Sequence, residues 1–242
     1  MTTVVLAIVA TMLAPQAASD DASSGGGSIG RSIGRHLKDD LREMISGPSL
    51  LILGTGATVA LAVHPKDREV TQSVAGADTL EEALDPGNGI GSAYVQIATA
   101  AGTWIVGRFT HHSRLAATGV DLVEAQLLNG AITQGLKHAV GRERPDGGHY
   151  SFPSGHTSAM FATAGVIRQR FGWKAGIAAY GVGAYVGAAR LGEREHYLSD
   201  VVFGAALGTV TGRAVGLAHK SRAPFVVTAL PMKGGFAVVF SR

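Results

Sequence analysis

The sequence contains no cysteine, and it is poor in charged and aromatic residues. Without cysteine the chain has no disulfide, no thiolate nucleophile and no cysteine-ligated metal. Charged residues make up 16% of the chain, against about 25% in an average soluble domain. The formal net charge is only +3, which gives no sign of a nucleic-acid-binding surface. The composition therefore excludes thiol chemistry and predicts no nucleic-acid partner.

Apolar residues and glycine are abundant instead. Hydrophobic residues make up 46% of the chain, the mean hydropathy is +0.21, and there are 34 glycines. Residues 45–63 and 86–107 carry no charge and approach the length of about 20 residues that spans a bilayer. Residues 113–140 look helical but contain Asp121 and Glu124, which suit a membrane only if they face the interior of a bundle. These features favour a membrane-embedded or membrane-bound bundle over a freely soluble one.

The beginning of the chain has the pattern of an export signal. Residues 4–13 are apolar, small residues follow at 17–19, and Asp20 comes next. The basic residue that usually precedes the apolar core is missing. The pattern predicts a signal peptide over residues 1–19, and hence an exported, periplasmic protein. An uncut membrane anchor and a soluble N-terminal helix stay open as alternatives.

The rest of the chain divides by composition into three segments. Residues 20–46 form a Ser/Gly-rich linker with a short amphipathic segment at its end. Residues 47–220 are predicted to be helical, and residues 221–242 are predicted to form a β-hairpin, because two β-prone runs flank a Pro- and Gly-containing turn. A lone hairpin is marginally stable, so it should pack on the bundle or on another chain.

Helices are expected at 113–140, 157–168, 175–190 and 198–218. The last of these carries glycines at four-residue spacing, at positions 204, 208, 212 and 216. Glycine destabilises a helix, so this repetition needs a packing reason. It predicts that another helix approaches this one closely.

Three clusters of polar residues carry the chemistry, and the first is Lys137 with Arg144-Pro145. The two cations are seven residues apart, so they can lie on one face of a helix that Pro145 helps to end. A lysine and an arginine there suit a phosphate, the first as a point charge and the second as a bidentate donor. Alone, the pair is more typical of an ordinary basic helix end.

The second cluster is Pro153-Ser154-Gly155-His156, just before a predicted helix. Serine is a good N-cap and glycine allows a close approach of the backbone. Free N–H groups at a helix start bind anions, and a histidine there can donate a proton to a leaving oxygen. A plain turn with a helix cap explains the pattern equally well.

The third cluster contains Arg190, His196 and Asp200. The histidine and the aspartate are four residues apart, so they can share a helix face. A carboxylate on one ring nitrogen fixes the tautomer and makes the other nitrogen a better nucleophile. A local surface pair is the simple alternative. A metal site at His196 and Asp200 is disfavoured, because nearby cations would repel the ion.

Taken together, the three clusters resemble the signature of the type 2 phosphatidic acid phosphatase (PAP2) superfamily, which includes bacterial acid phosphatases and vanadium haloperoxidases. That signature is K-x6-R-P, then P-S-G-H, then S-R-x5-H-x3-D, and it covers residues 137–200 here. The chain departs from it in two places. The serine before the third-motif arginine is Ala189, and the interval between the first two motifs is short, residues 146–152.

The resemblance implies an all-α, PAP2-like bundle of about six helices, with the three motifs meeting at one end. It implies no cofactor and no metal. In it, His196 would attack phosphorus, His156 would protonate the leaving group, and Asp200 would orient His196. The residues that would bind phosphate are Lys137, Arg144, Ser154, Gly155 and Arg190.

The function implied is a metal-independent phosphatase with a phosphohistidine intermediate. Its substrate would be a phosphorylated lipid or a small soluble phosphoester, and its active site would face the exported side of the membrane. A vanadium-dependent haloperoxidase and a non-catalytic membrane protein of the same fold are the alternatives. The sequence makes no prediction of the oligomeric state.

Overall fold

A computed structural model describes residues 37–76, 82–220, 226–232 and 235–241 of the protein. The predicted signal peptide and most of the Ser/Gly-rich linker lie outside the described residues. The amphipathic segment is helical over residues 37–44. The prediction of a helical bundle is confirmed for the part of the chain between residues 47 and 220.

Most of the elements follow one another along the chain with short connections, and residues 141–154 form a longer one. They are α1 (Gly47–Val63), a 3-10 turn (His64–Lys66), α2 (Asp67–Ala75), α3 (Pro86–Gly91), α4 (Ala93–Phe109), α5 (Ser113–Val140), α6 (Gly155–Phe171), α7 (Trp173–Gly192), α8 (Leu198–Lys220), β1 (Val226–Met232) and β2 (Gly235–Ser241). The predicted helix at 113–140 is α5, with both ends where the sequence places them. The other three predicted helices lie within α6, α7 and α8.

Local signals explain where several helices begin and end. Ser92 is the N-cap of α4, and its hydroxyl accepts a hydrogen bond from the backbone N–H of Val95 at 3.3 Å. Gly141 follows α5 in the left-handed conformation, with φ of 61°, and its N–H bonds to the carbonyl of Lys137. A residue without Cβ adopts that conformation at little cost, so α5 ends at Val140.

The glycine stripe of α8 lies against α6. A Cβ built on Gly208 would lie 2.1 Å from the carbonyl oxygen of Ser158, and one on Gly212 would lie 2.0 Å from that of Ala162. A Cβ on Gly204 would lie 2.8 Å from the carbonyl oxygen of Ser154. Only glycine permits this approach, so the predicted packing reason is confirmed. The contact brings the start of α6 next to the start of α8.

Apolar side chains from four helices fill the core. Ala100 of α4, Leu122 and Val123 of α5, Val166 of α6 and Val215 of α8 form one buried cluster. Three of these helices, α5, α6 and α8, also carry motif residues, so the packing of the cluster helps to fix the relative positions of the motifs.

Among the residues that the structure describes, two helical segments are long and apolar enough to cross a membrane, judged by length and composition. They are Gly47–Ala75, whose surface is mostly exposed, and Leu198–Ala218, more than half of which is buried in the bundle. The first contains most of the uncharged run 45–63. The second uncharged run, 86–107, is not one helix, because Ser92 is extended and separates α3 from α4.

Beyond α8 the two strands pair antiparallel, with Val226 opposite Ser241 and Met232 opposite Gly235. That the hairpin packs on the bundle or on another chain stays a prediction.

Candidate active site

The three motifs meet where the C-terminal end of α5, the first turn of α6 and the segment between α7 and α8 come together. The backbone N–H of Ser154 donates to the carbonyl oxygen of Asp200 at 3.1 Å, which joins the second motif to the third. A Cβ on Gly155 would lie 3.7 Å from Cε of Lys137, which places the first motif beside the second. Residues up to 63 positions apart in sequence thus share one site.

Lys137 and Arg190 are buried cations. Lys137 is 7% exposed and its Nζ donates to the carbonyl oxygen of Tyr150 at 2.5 Å. Burial, together with the positive charge of Arg144, lowers the pKa of Lys137 to about 8. Arg190 is 2% exposed and donates to the side chains of Asn88 and Glu193. Buried cations of this kind need anionic or carbonyl partners.

Arg144 reaches the site from a loop, which corrects the expectation that it shares a helix face with Lys137. Because Gly141 ends α5, the chain turns before Arg144. The N–H of Arg144 bonds to the carbonyl of Gly148 at 2.8 Å, and its own carbonyl accepts from Gly147 at 3.1 Å. The two cations still approach the same point, but through a tight turn and not through helical spacing.

His196 likewise precedes a helix, so the expectation that it shares a helix face with Asp200 is wrong. α8 begins at Leu198, and His196 lies in the preceding turn with its N–H donating to the carbonyl of Arg190 at 3.3 Å. Its side chain is 2% exposed. Burial and the nearby positive charge of Lys137 lower the pKa of His196, although Asp200 opposes this, so the ring is neutral at neutral pH.

Nδ1 of His196 lies 3.9 Å from Oδ2 of Asp200. This separation is too long for a hydrogen bond. Nδ1 has no hydrogen-bond partner in the part of the chain that the structure describes. The carboxylate therefore acts on the imidazole through its charge at this distance and accepts no hydrogen bond from it.

The carboxylate of Asp200 accepts hydrogen bonds from donors other than His196. Its Oδ2 accepts from the Ser151 hydroxyl at 2.5 Å and from the N–H of Tyr197 at 2.9 Å. Its Oδ1 accepts from Nη1 of Arg142 at 2.5 Å. Asp200 is fully buried, so these donors replace the water that a carboxylate would otherwise require.

Arg142 is a site residue that the sequence analysis missed. It bridges Asp200 and Asp67, donating to Oδ2 of Asp67 at 2.8 Å, and Asp67 also accepts from the N–H of Ser199 at 2.8 Å. The guanidinium lies 4.3 Å from the centre of the Tyr197 ring. Arg142 occupies an unspecified position of the first motif, and Asp67 lies on α2, far from every motif. No sequence signal joins the two.

His156 lies in the first turn of α6, partly buried. A Cβ on Gly91 of α3 would lie 2.9 Å from its Cβ, so α3 covers one side of it. Burial and the charge of Arg190 lower the pKa of His156 to about 4, with Glu195 opposing and His196 and Lys137 adding to the effect. The positive charges of Arg190 and Lys137 thus lower the pKa of both His156 and His196.

Ser154 is the N-cap residue of α6, as the sequence predicts, but its hydroxyl does not cap the helix. It pairs with the hydroxyl of Thr157 at 2.9 Å instead. Gly155 begins the helix, where backbone N–H groups lack acceptors within the helix and suit an anion.

A cavity of about 490 Å³ lies beside Asn88 and Glu193, two side chains that Arg190 contacts. Its lining consists of Glu82, Leu84, Asp85, Asn88, Ala189, Gly192 and Glu193. It contains none of the predicted site residues, and its three carboxylates would repel phosphate. This lining makes the cavity a poor phosphate site, and phosphate binding at the cluster of cations stays a prediction.

We expect inorganic phosphate to bind with uptake of a proton at about pH 5.5, because His156 is largely neutral there. A phosphate anion beside His156 favours its protonated form and raises its pKa, so up to about one proton enters per phosphate bound. Phosphate affinity should accordingly fall as this group loses its proton at higher pH. Calorimetric titration in two buffers of different ionisation enthalpy measures the uptake. His156→Ala should remove most of it, and equal uptake in that variant would contradict the assignment.

Comparison with known proteins agrees with this arrangement. Residues 118–224 match the family model described as the PAP2 superfamily, a region that contains all three motifs. Over 96 residues the chain is 36% identical to a protein named lipid A 1-phosphatase from Porphyromonas gingivalis, and this alignment covers 38% of the chain. It spans only 21% of the length of that curated relative. The resemblance that the motifs carry is thus confirmed.

Two solved structures share the fold. One is described as the first transmembrane PAP2 type phosphatidylglycerolphosphate phosphatase from Bacillus subtilis, with a TM-score of 0.59 at 19% identity, over 76% of this chain and 98% of that one. The other is LpxE of Aquifex aeolicus, with a TM-score of 0.51 at 21% identity, over 63% of this chain and 93% of that one. Identities this low show a common fold.

Proposed function

Taking as premise that residues 118–224 are a PAP2-superfamily region, we propose that the chain is a metal-independent phosphatase that hydrolyses lipid phosphates at a membrane surface. The observation that carries the proposal is that three cations converge on the segments that hold His156 and His196: Lys137 lies beside Gly155, and Arg144 and Arg190 both pair with Glu195. A cluster of fixed cations stabilises the charge that develops on the equatorial oxygens during phosphoryl transfer.

In the first half of the proposed reaction His196 is the nucleophile. Its Nδ1 faces Asp200, so Nε2 is the nitrogen that attacks phosphorus. The P–N bond forms as the P–O ester bond breaks, and the electron pair of that bond stays on the leaving oxygen. His156 gives this oxygen a proton, which it holds once the bound phosphate has raised its pKa. The products are a phosphohistidine and an alcohol.

In the second half His156, now neutral, takes a proton from water. The water oxygen attacks phosphorus, the P–N bond breaks, and its electron pair returns to Nε2 of His196. The positive charge that the His196 ring carries in the intermediate is stabilised by Asp200 at 3.9 Å. No step requires a metal ion.

Three features support a lipid substrate. The helical segments Gly47–Ala75 and Leu198–Ala218 have the length and composition of membrane spans. Leu50, Leu51 and Leu61 of α1 are all exposed, at 52%, 71% and 75%, as expected of a helix that faces lipid. The matched relative is named a lipid A 1-phosphatase, and one of the two solved structures is described as a phosphatidylglycerolphosphate phosphatase. The predicted export signal would place the site on the exported side of the membrane.

Fractionation followed by comparison of two substrates tests the proposal. We expect the full chain in the membrane fraction, and we expect the detergent-extracted protein to hydrolyse a lipid phosphate in mixed micelles and an aryl phosphate in the presence of EDTA. Because the lipid supplies binding energy away from the reacting phosphorus, kcat/KM should be at least about tenfold higher for the lipid. Failure to hydrolyse either substrate would contradict a phosphatase, and a preference for the aryl phosphate would contradict a lipid substrate.

A further inference from the structure

The carboxylate of Glu195 lies between two of the three cations assigned to the phosphate. Its Oε2 accepts a hydrogen bond from Nη1 of Arg144 at 2.7 Å and is also paired with Nη2 of Arg190. A single carboxylate oxygen therefore occupies donors from both arginines. The Glu195 side chain is 30% exposed, whereas that of Arg190 is 2% exposed, so the anion can move towards solvent while the cation stays in place.

The backbone around Glu195 is held in position. Arg194 has φ of 56°, a left-handed conformation that is rare outside glycine and that persists only where the surroundings impose it. The hydroxyl of Ser151, which donates to Asp200 at 2.5 Å, also lies 3.4 Å from the carbonyl oxygen of Glu195, and the N–H of His196 donates to the carbonyl oxygen of Arg190 at 3.3 Å. The main chain at Glu195 is thus tied to the site, and the freedom that remains lies in its side chain.

Neither neighbouring carboxylate takes the same position. Glu193 is more exposed; it pairs with Arg190 at 3.1 Å and accepts a hydrogen bond from Asn88, but forms no ion pair with Arg144 among the described residues. Asp200 is directed to Arg142, Ser151 and the backbone of Tyr197. Glu195 is also ionised: burial alone would raise its pKa, but the hydrogen bond from Arg190 and the charges of Arg190 and Arg144 lower it.

We propose that Glu195 is an internal competitor for the phosphate site, whose carboxylate holds Arg144 and Arg190 until phosphate displaces it and returns as phosphate leaves. This inference rests on the phosphatase function proposed above. Two guanidinium groups that bind a carboxylate oxygen are also suited to a phosphate oxygen. Both ligands are anionic and accept charge-assisted hydrogen bonds from the same N–H donors. A bound phosphate and an ionised Glu195 repel one another, so the affinity of the site for phosphate is reduced.

The consequence concerns product release. Three cations around a phosphate would otherwise hold inorganic phosphate tightly, and a tightly held product limits turnover. A carboxylate tethered one residue before the nucleophile is always available to replace the leaving product. Glu195 therefore acts as a positioning residue that sets product affinity, and it takes no part in bond formation.

The test uses the full chain in detergent and inorganic phosphate as the probe. Glu195→Gln keeps the size of the side chain and removes its charge, and we expect it to bind phosphate about tenfold more tightly, equivalent to about 1.4 kcal/mol. Glu143→Gln is the matched control, because Glu143 is an exposed carboxylate beside Arg144 and its loss changes the net charge equally. Its phosphate affinity should stay within about twofold of the unchanged protein.

Thermal unfolding separates this role from a structural one. Because both arginines lose the Glu195 carboxylate, Glu195→Gln should unfold at a lower temperature without phosphate, and saturating phosphate should raise its unfolding temperature more than that of the unchanged protein. If Glu195→Gln does not fold, Glu195→Asp serves instead, since a side chain shorter by one methylene cannot reach both arginines. It should show a smaller gain in affinity.

Unchanged or weaker phosphate binding in these variants overturns the inference. The outcome is independent of catalysis, because phosphate binding is measured without a substrate. If the chain hydrolyses no phosphoester but Glu195→Gln binds phosphate more tightly, the inference about Glu195 is supported and the proposed phosphatase function is contradicted. If the chain is an active phosphatase and the phosphate affinity of Glu195→Gln is unchanged, only the inference about Glu195 is contradicted.

Discussion

Replacing His196 with alanine should lower phosphatase turnover by on the order of 10⁴-fold or more, because the variant has no nitrogen to attack phosphorus. In the unchanged protein, rapid acid-free quenching after addition of a ³²P-labelled substrate should trap a phosphohistidine. The label should be absent from the variant. Turnover is measured with the aryl phosphate, and trapping with mass spectrometry of the peptide that contains His196.

The control for this experiment is His112→Ala. His112 is exposed at the start of α5 and its side chain makes no cap hydrogen bond, so its removal should leave turnover within about twofold of the unchanged protein. Normal activity in His196→Ala would show that the role assignment is wrong, whatever the phosphate-binding residues do.

Replacing Arg142 with alanine should destabilise the protein by about 3–5 kcal/mol, because it leaves two buried carboxylates without their shared cation. Asp67 is 3% exposed and Asp200 is 0% exposed, so neither can recover its charge partner from water. In a domain of this size such a loss lowers the unfolding temperature by roughly 6–20 °C. Turnover should fall as well, since Arg142 holds Oδ1 of Asp200 at 2.5 Å and thereby fixes the carboxylate beside His196.

Arg114→Ala is the matched control, because Arg114 is exposed and forms no ion pair among the described residues. Its unfolding temperature should change little. A double-mutant cycle between Arg142→Ala and Asp67→Asn then isolates the coupling between the two partners. A loss in Arg142→Ala of less than about 1 kcal/mol would show that the bridge contributes little.

Much of the site was predictable because its chemistry lies in short segments. Lys137, the Ser154-Gly155-His156 run and His196 each occur in a motif whose residue types suit one tetrahedral anion, and the structure gathers them. Whether they perform the roles assigned to them stays a prediction. The helix at 113–140 was predictable for the same kind of reason, since Gly141 marks its end locally.

The errors came from extending local spacing too far. Seven residues between Lys137 and Arg144 match two turns of a helix, but Gly141 lies between them and ends α5. Four residues between His196 and Asp200 match one turn, but α8 begins only at Leu198. Spacing predicts a common face only where the helix is continuous, and a helix end within the interval removes that inference.

By itself the sequence determined the helical class, the close contact along the glycine stripe of α8 and the set of residues able to bind and attack a phosphate. Those properties depend on residue type and on neighbours within a few positions. Only the tertiary structure decided that Arg142 reaches Asp67, 75 residues away, and that Glu195 lies on Arg144, 51 residues away. Such pairs are set by how α2, the 141–152 loop and the turn before α8 pack together, and packing is a property of the whole bundle that no local pattern records.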